Sequence, residues 1–269
     1  MLRNIKSLIG HAIHATDGEI GKVDEFYFDD ETWDVRYMVV STGTWLSGRK
    51  VLIAPAALRM PDWKSRTLPV DLTLEQVRTS PGIDTEATVS RRHELELHKH
   101  YSWPLYWGEG FYGGGMSGNL LFPPKLEKED PEKTKAEAAA RQALEETHLQ
   151  GTRAVTGYRL HAADGPIGHV EDYIVDDVKW VIRYLVAGTG TWLPGRKVLI
   201  SPHWIEKVNW ENFEVFVDLS REAVKESPAF DTSRPVSESY ESDLYDHYGR
   251  PRFEDAVNRE PALPRSRKR

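Results

Sequence analysis

The chain has no cysteine. That absence removes disulfide scaffolds, thiol nucleophiles and every cysteine-ligated zinc or iron–sulfur site. No apolar run approaches the ~18–20 residues that a bilayer-crossing helix requires. The opening stretch, Met1 to Ser7, lacks the apolar core and small-residue cleavage site of a secretory signal. A cytoplasmic location follows as the expectation. Cationic charge is in deficit, with 35 Lys and Arg against 42 Asp and Glu and a net charge of −7. Phosphate backbones need clustered cations, so this balance argues against a general nucleic-acid binder. The one basic run, Arg265-Ser266-Arg267-Lys268-Arg269, reads as a solvated tail.

What the chain does have is a sentence written twice. Thr42-Gly43-Thr44-Trp45-Leu46-Ser47-Gly48-Arg49-Lys50-Val51-Leu52-Ile53 returns 147 positions later as Thr189-Gly190-Thr191-Trp192-Leu193-Pro194-Gly195-Arg196-Lys197-Val198-Leu199-Ile200. The register holds from Gly10/Gly157 to Pro104/Pro251 without insertion or deletion. A period this long is a duplicated domain, since solenoid units repeat every ~20–50 residues. Any functional residue must therefore be asked whether it recurs.

Each copy opens as a hairpin turned by Asp17-Gly18 or Asp164-Gly165, a pair that supplies the positive φ of tight turns. Val35 to Val40 and Ile182 to Ala187 are β-branched and aromatic runs, too short for core helices. Val51 to Ile53 and Val198 to Ile200 follow the Trp loops and stop at Pro55 and Pro202. A final hairpin is expected around Thr67 to Leu72 and Glu214 to Leu219. Short strands with turn signals between them predict a small barrel or sandwich.

A short helix follows each copy, capped by Thr73 or Ser220 and stopped at Ser80-Pro81 or Ser227-Pro228. Polar helices over Arg91 to His100 and Glu238 to His247 are then expected, capped by Ser90 and Ser237. Gly108 to Gly118 is glycine-rich, and Pro131 to Leu149 has the composition of one exposed connecting helix.

The Asp-Gly-x-Ile-Gly hairpin, the Arg-Tyr-Leu-Val strand and the Gly-Arg-Lys-Val-Leu-Ile-Ser-Pro ending resemble the PRC-barrel family. This small β-barrel is shared by the cytoplasmic part of the photosynthetic reaction-centre H subunit and by ribosome maturation factors. The Ser-Pro, Val-Ser and His-Tyr-x-x-Pro arm is similar to the extension of bacterial stand-alone members. The resemblance implies a mainly β fold of two PRC-type barrels, each with a short helical C-terminal arm. The expected division is residues 1–104 as first barrel and arm, 105–150 as linker and connecting helix, 151–253 as second barrel and arm, and 254–269 as tail. Two copies are expected to pack about a pseudo-two-fold axis, as a fused dimer would. The arms can clamp the partner barrel or another chain in a homo-oligomer.

Chemistry-bearing patterns reduce to few. Gly43 to Gly48 imitates a phosphate loop, but Lys50 leads into a strand rather than a helix. His93, Glu96 and His100 share a helical face with metal-ligand chemistry, yet copy two carries Tyr240, Asp243 and His247 there. Arg36 and Arg183 sit mid-strand and are expected to pair with the neighbouring Asp29-Asp30 and Asp176-Asp177. Three Trp pairs recur (Trp33/Trp180, Trp45/Trp192, Trp63/Trp210), a pattern that suits core and inter-repeat packing. No catalytic set recurs, so no enzyme activity, cofactor or metal is expected.

The candidate partner-binding residues are Trp45, Arg49, Trp192, Arg196, Tyr101, Trp103 and Tyr248, because Trp and Arg dominate binding hot spots. The short, tightly specified loop between two apolar strands points instead to a barrel plug for Trp45 and Trp192, with the Arg paired to an acidic neighbour; partner contact is the alternative role. The expected function is a non-enzymatic protein-interaction module. The alternatives are an RNA-metabolism or ribosome-maturation accessory, or an accessory of a membrane electron-transport complex like the H subunit.

Overall fold

The computed structural model describes residues 1–83, 89–107, 147–190, 192 and 194–253. The glycine-rich stretch, the connecting helix as far as residue 146 and the basic tail lie outside the described residues.

The first copy contributes strands β1 (Leu2–Asn4), β2 (Ala12–His14), β3 (Glu19–Asp29), β4 (Val35–Ser41), β5 (Lys50–Ile53) and β6 (Thr67–Pro69). The second contributes β7 (Leu149–Gly151), β8 (Arg159–Ala162), β9 (Gly165–Asp176), β10 (Val181–Gly188), β11 (Lys197–Ile200), β12 (Ile205–Asn209) and β13 (Glu214–Val217). Short helices follow at Leu74–Arg78, Arg91–Tyr101, Arg221–Glu226 and Glu238–Tyr248. The fold is mainly β, as expected.

One sheet runs β11-β10-β9-β8-β13-β12 with β1 added on β9; the other runs β5-β4-β3-β2-β6 with β7 added on β3. β8 with β13 and β2 with β6 are parallel, whereas β9 with β1, β8 and β10, β10 with β11, β12 with β13 and β2 with β3 are antiparallel. Among the described residues no pairing joins the two ends of either path. No closed barrel is therefore found.

The chain divides into two compact units. The first comprises Met1–His11, Val23–Met38 and Gln150–Arg269; the second comprises Ala12–Lys22 and Val39–Leu149. Each unit has its own apolar core. In the first, Phe26, Phe28, Tyr173, Ile174, Tyr184 and Leu185 are buried. In the second, Ile13, Ile20, Val39, Leu52, Ile53 and Leu68 are.

The Asp-Gly-x-Ile-Gly motif has a physical reason at its last residue. A Cβ on Gly21 would lie 2.0 Å from the Ser41 carbonyl oxygen, and one on Gly168 would lie 2.1 Å from that of Gly188. The neighbouring backbone passes too close for any side chain.

Helix starts follow the expected chemistry. Thr73 forms a capping box with Gln76, and the side chains of Ser90, Ser220 and Ser237 each accept from an amide of the first turn. The connecting-helix expectation is corrected at its end: Leu149 begins β7, where it is buried. Pairing with β3 overrides its helical composition. Sequence patterning also missed β1, whose three residues pair with β9 some 170 positions away, at Leu2↔Asp176, Arg3↔Val175 and Asn4↔Ile174.

Within the first unit, segments of both copies meet reciprocally. The Val35 amide donates to the Trp180 carbonyl at 2.7 Å, and the Ile182 amide donates to the Trp33 carbonyl at 2.9 Å. These bonds flank an antiparallel bridge between Asp34 and Val181. Both tryptophans hold left-handed backbone, with φ of 62° and 54°. Both rings are buried, Trp33 stacked on Phe28 at 5.0 Å and Trp180 on Phe26 at 6.0 Å.

Candidate functional site

The two Trp loops are held differently from a plug. Gly43–Leu46 forms one 3-10 turn, closed by a left-handed Ser47, with Gly43 and Gly48 both at positive φ. The Thr42 hydroxyl ties the loop base by donating to the Arg49 carbonyl at 2.6 Å, and Thr189 repeats this with Arg196 at 2.8 Å. Trp45 remains 40% exposed, yet its indole N–H donates to the Ile20 carbonyl at 2.5 Å. Trp192 is half-buried, with the Arg221 guanidinium 4.9 Å from its ring. Leu74 stands where Arg221 would be in copy one, so only the second loop has this cation–π contact.

Arg49 and Arg196 do not pair with acids in the way expected of a plug loop. Arg49 donates to the carbonyls of Arg78, at 3.2 Å, and Ser80. Arg196 donates to the carbonyl of Ser227, the residue equivalent to Ser80. A guanidinium suits this because its fork can serve main-chain acceptors at the end of a short helix.

Tyr101 and Tyr248 complete the same two clusters. Burial raises both phenol pKa values, while Ser80 beside Tyr101 and Ser227 beside Tyr248 act in the opposite direction. The tyrosines are therefore neutral phenols packed beside those serines. His100 and His247 place Nε2 2.8 Å and 2.7 Å from the carbonyls of Gln76 and Ala223, fixing each arm to the preceding helix. Trp103 stacks on Tyr101 with ring centroids 4.3 Å apart.

The seven candidates thus fall into three kinds. Arg49 with Tyr101, and Arg196 with Tyr248, form two equivalent internal knots around a buried serine. Trp45 and Trp192 lie on loops and retain accessible ring surface. Trp103 belongs to an aromatic cluster in which Tyr106 and Trp107 flank the Arg91 guanidinium at 5.3 and 4.6 Å.

The arm helices carry a second recurring anchor. Glu94, fully buried, accepts from Arg91 at 3.2 Å and from the Tyr106 hydroxyl. Its counterpart Glu241 accepts from Arg183 at 3.1 Å and from the Tyr184 hydroxyl at 2.6 Å. Arg183 also stands 3.8 Å from Asp176, as expected, and over the Phe253 ring at 3.9 Å. Arg36 pairs with Asp34 at 2.8 Å. Sequence reasoning missed Glu94 and Glu241, although their recurrence at the repeat offset was the available signal.

The metal-ligand face does not assemble. Glu96 is exposed, burial lowers the His93 pKa, and His100 is engaged with Gln76. Among the described residues no group of three His, Asp or Glu has metal-holding geometry. No described helix is long and apolar enough to cross a membrane.

Residues 2–64 match the PRC-barrel domain model. The match covers β1 to β5 and the first Trp loop. No curated protein matches the chain.

Proposed function

We propose that the chain is a non-enzymatic protein-interaction module, an adaptor or assembly factor built from two PRC-type barrels. Its organisation is residues 1–104 and 151–253 as barrel-and-arm repeats, joined by 105–150 and followed by the tail 254–269. The Trp loops present the contact surface, and the arm knots hold those loops to their frames.

The observation that carries this reading is the state of Trp45. A large aromatic is left 40% exposed while its only polar atom is bonded internally. Such a ring can bury apolar area on a partner without desolvating an unpaired N–H. The half-buried Arg49 and the buried Ser80 and Tyr101 around it serve the loop's position. The acidic charge balance favours a protein partner over RNA.

The test is affinity purification with wild type and with the Trp45→Ala/Trp192→Ala double variant at two salt concentrations. The expected result is a protein recovered by wild type at both salts and lost by a variant that remains folded. Recovery of RNA that falls away steeply with salt, or identical recovery by the variant, would contradict the proposal.

A further inference from the structure

The repeat-to-repeat contact within the first unit is isologous at the level of single atoms. The Lys6 amide donates to the Asp172 carboxylate at 3.2 Å, and the Arg153 amide donates to the Glu25 carboxylate at 3.0 Å. Lys6 and Arg153 are equivalent across the 147-residue offset, and so are Glu25 and Asp172. The Val35–Trp180 and Ile182–Trp33 bonds obey the same exchange. So does the strand pattern, with β1 added to β9 and β7 added to β3.

An interface in which i meets j and j meets i is the signature of two-fold self-association between copies of one surface. Here both acceptors are buried carboxylates, with Glu25 8% and Asp172 7% exposed. Each carboxylate accepts a main-chain amide of the other repeat, Asp172 alongside its own Tyr173 amide, and separating the repeats would remove that donor. The aromatic stacks around Trp33 and Trp180 add apolar area to the same surface.

We propose that this is a self-recognition surface whose partner is the other repeat of the same chain, held without help from the connecting segment. The connecting segment then raises local concentration and does not supply specificity. Two halves of a cut chain remain joined, and halves of different molecules exchange.

The test uses the full chain with a protease recognition sequence inserted between residues 118 and 131. After cutting, native mass spectrometry is expected to show a one-to-one complex of the two fragments. Isotope-labelled and unlabelled cut protein, unfolded and refolded together, is expected to give hybrid complexes. The Glu25→Lys/Asp172→Lys variant is expected to weaken the cut complex by roughly tenfold or more, since bonds to buried charge are lost. Circular dichroism of the uncut variant checks its fold; if it is unfolded, Glu25→Ala/Asp172→Ala is read in its place. Fragments that separate on cutting, or a cut complex indifferent to the pair substitution, would overturn the proposal.

Discussion

Val35 and Ile182 stand 147 residues apart, and each donates its amide to the carbonyl of the tryptophan that precedes the other. The left-handed backbone at Trp33 and Trp180 accompanies this exchange at both positions. A bulky residue rarely holds that conformation. Here the stacked ring and the cross-repeat bond offset the strain together.

Those rings should therefore matter more to stability than the rings of the Trp loops. Trp33→Ala and Trp180→Ala are expected to cost about 3–5 kcal/mol each, the range for a buried aromatic. Trp45→Ala is expected to cost about 1–2 kcal/mol, reflecting one hydrogen bond and partial burial. Chemical denaturation of the three single variants checks the order. A Trp45 cost equal to that of Trp33 would restore the plug.

Gly21→Ala and Gly168→Ala should be among the most damaging small substitutions. Each Cβ would meet a carbonyl oxygen at 2.0 or 2.1 Å, a distance that only backbone movement can relieve. The expected loss is at or above the ~1–3 kcal/mol typical of overpacking. Gly43→Ala offers a control, because nothing lies within 4 Å of its Cβ and only its φ of 64° opposes the change. A Gly21→Ala variant as stable as Gly43→Ala would show that the strands do not approach so closely.

The arm knots give a local prediction. Arg49→Ala removes the donors to Arg78 and Ser80. Bonds involving a charged group contribute about 1.5–3 kcal/mol. Amide hydrogen exchange over the helix Arg91–Tyr101 should accelerate, while Val51 to Ile53 stays protected. Uniform acceleration in both segments would mean that Arg49 supports the whole unit rather than the arm.

Burial raises the Asp172 carboxyl pKa above its ordinary value, with desolvation outweighing the Tyr173 amide, the Asn4 side chain and the Lys6 amide. A carboxyl raised on folding contributes most below its unfolded value of 3.8 and loses that contribution as pH rises through the folded value. Asp172→Asn keeps an acceptor oxygen and cannot ionise. The melting temperature of the variant minus that of wild type should therefore increase from about pH 3.5 to about pH 7. A difference that falls over this range has the wrong sign for the account.

Much of the fold was legible because periodicity and punctuation agree. Asp-Gly turns, β-branched runs and serine caps each signal through residues within a few positions of one another. The additions at β1 and β7 were not legible, since three-residue strands have no period and their partners lie far along the chain. Among site residues, Arg49 and Arg196 were found by recurrence, but their acceptors are carbonyls, which no side-chain identity announces. Glu25 and Asp172 recurred as an acid pair and escaped notice because their donors are backbone amides of Arg153 and Lys6.

The chain's lack of cysteine makes the central relationship directly measurable. Asp34 and Val181 face each other as a non-hydrogen-bonded antiparallel pair, the kind whose Cα atoms lie about 4.5 Å apart. That separation falls inside the ~4.4–6.8 Å window for a disulfide. Asp34→Cys/Val181→Cys, mildly oxidised and resolved by non-reducing electrophoresis and peptide mapping, should form one intramolecular disulfide in high yield. Asp34→Cys/Val178→Cys serves as the control, because Val178 is exposed and lies outside the bridge. Free thiols in the first variant, or equal cross-linking in both, would contradict the reciprocal contact between the repeats.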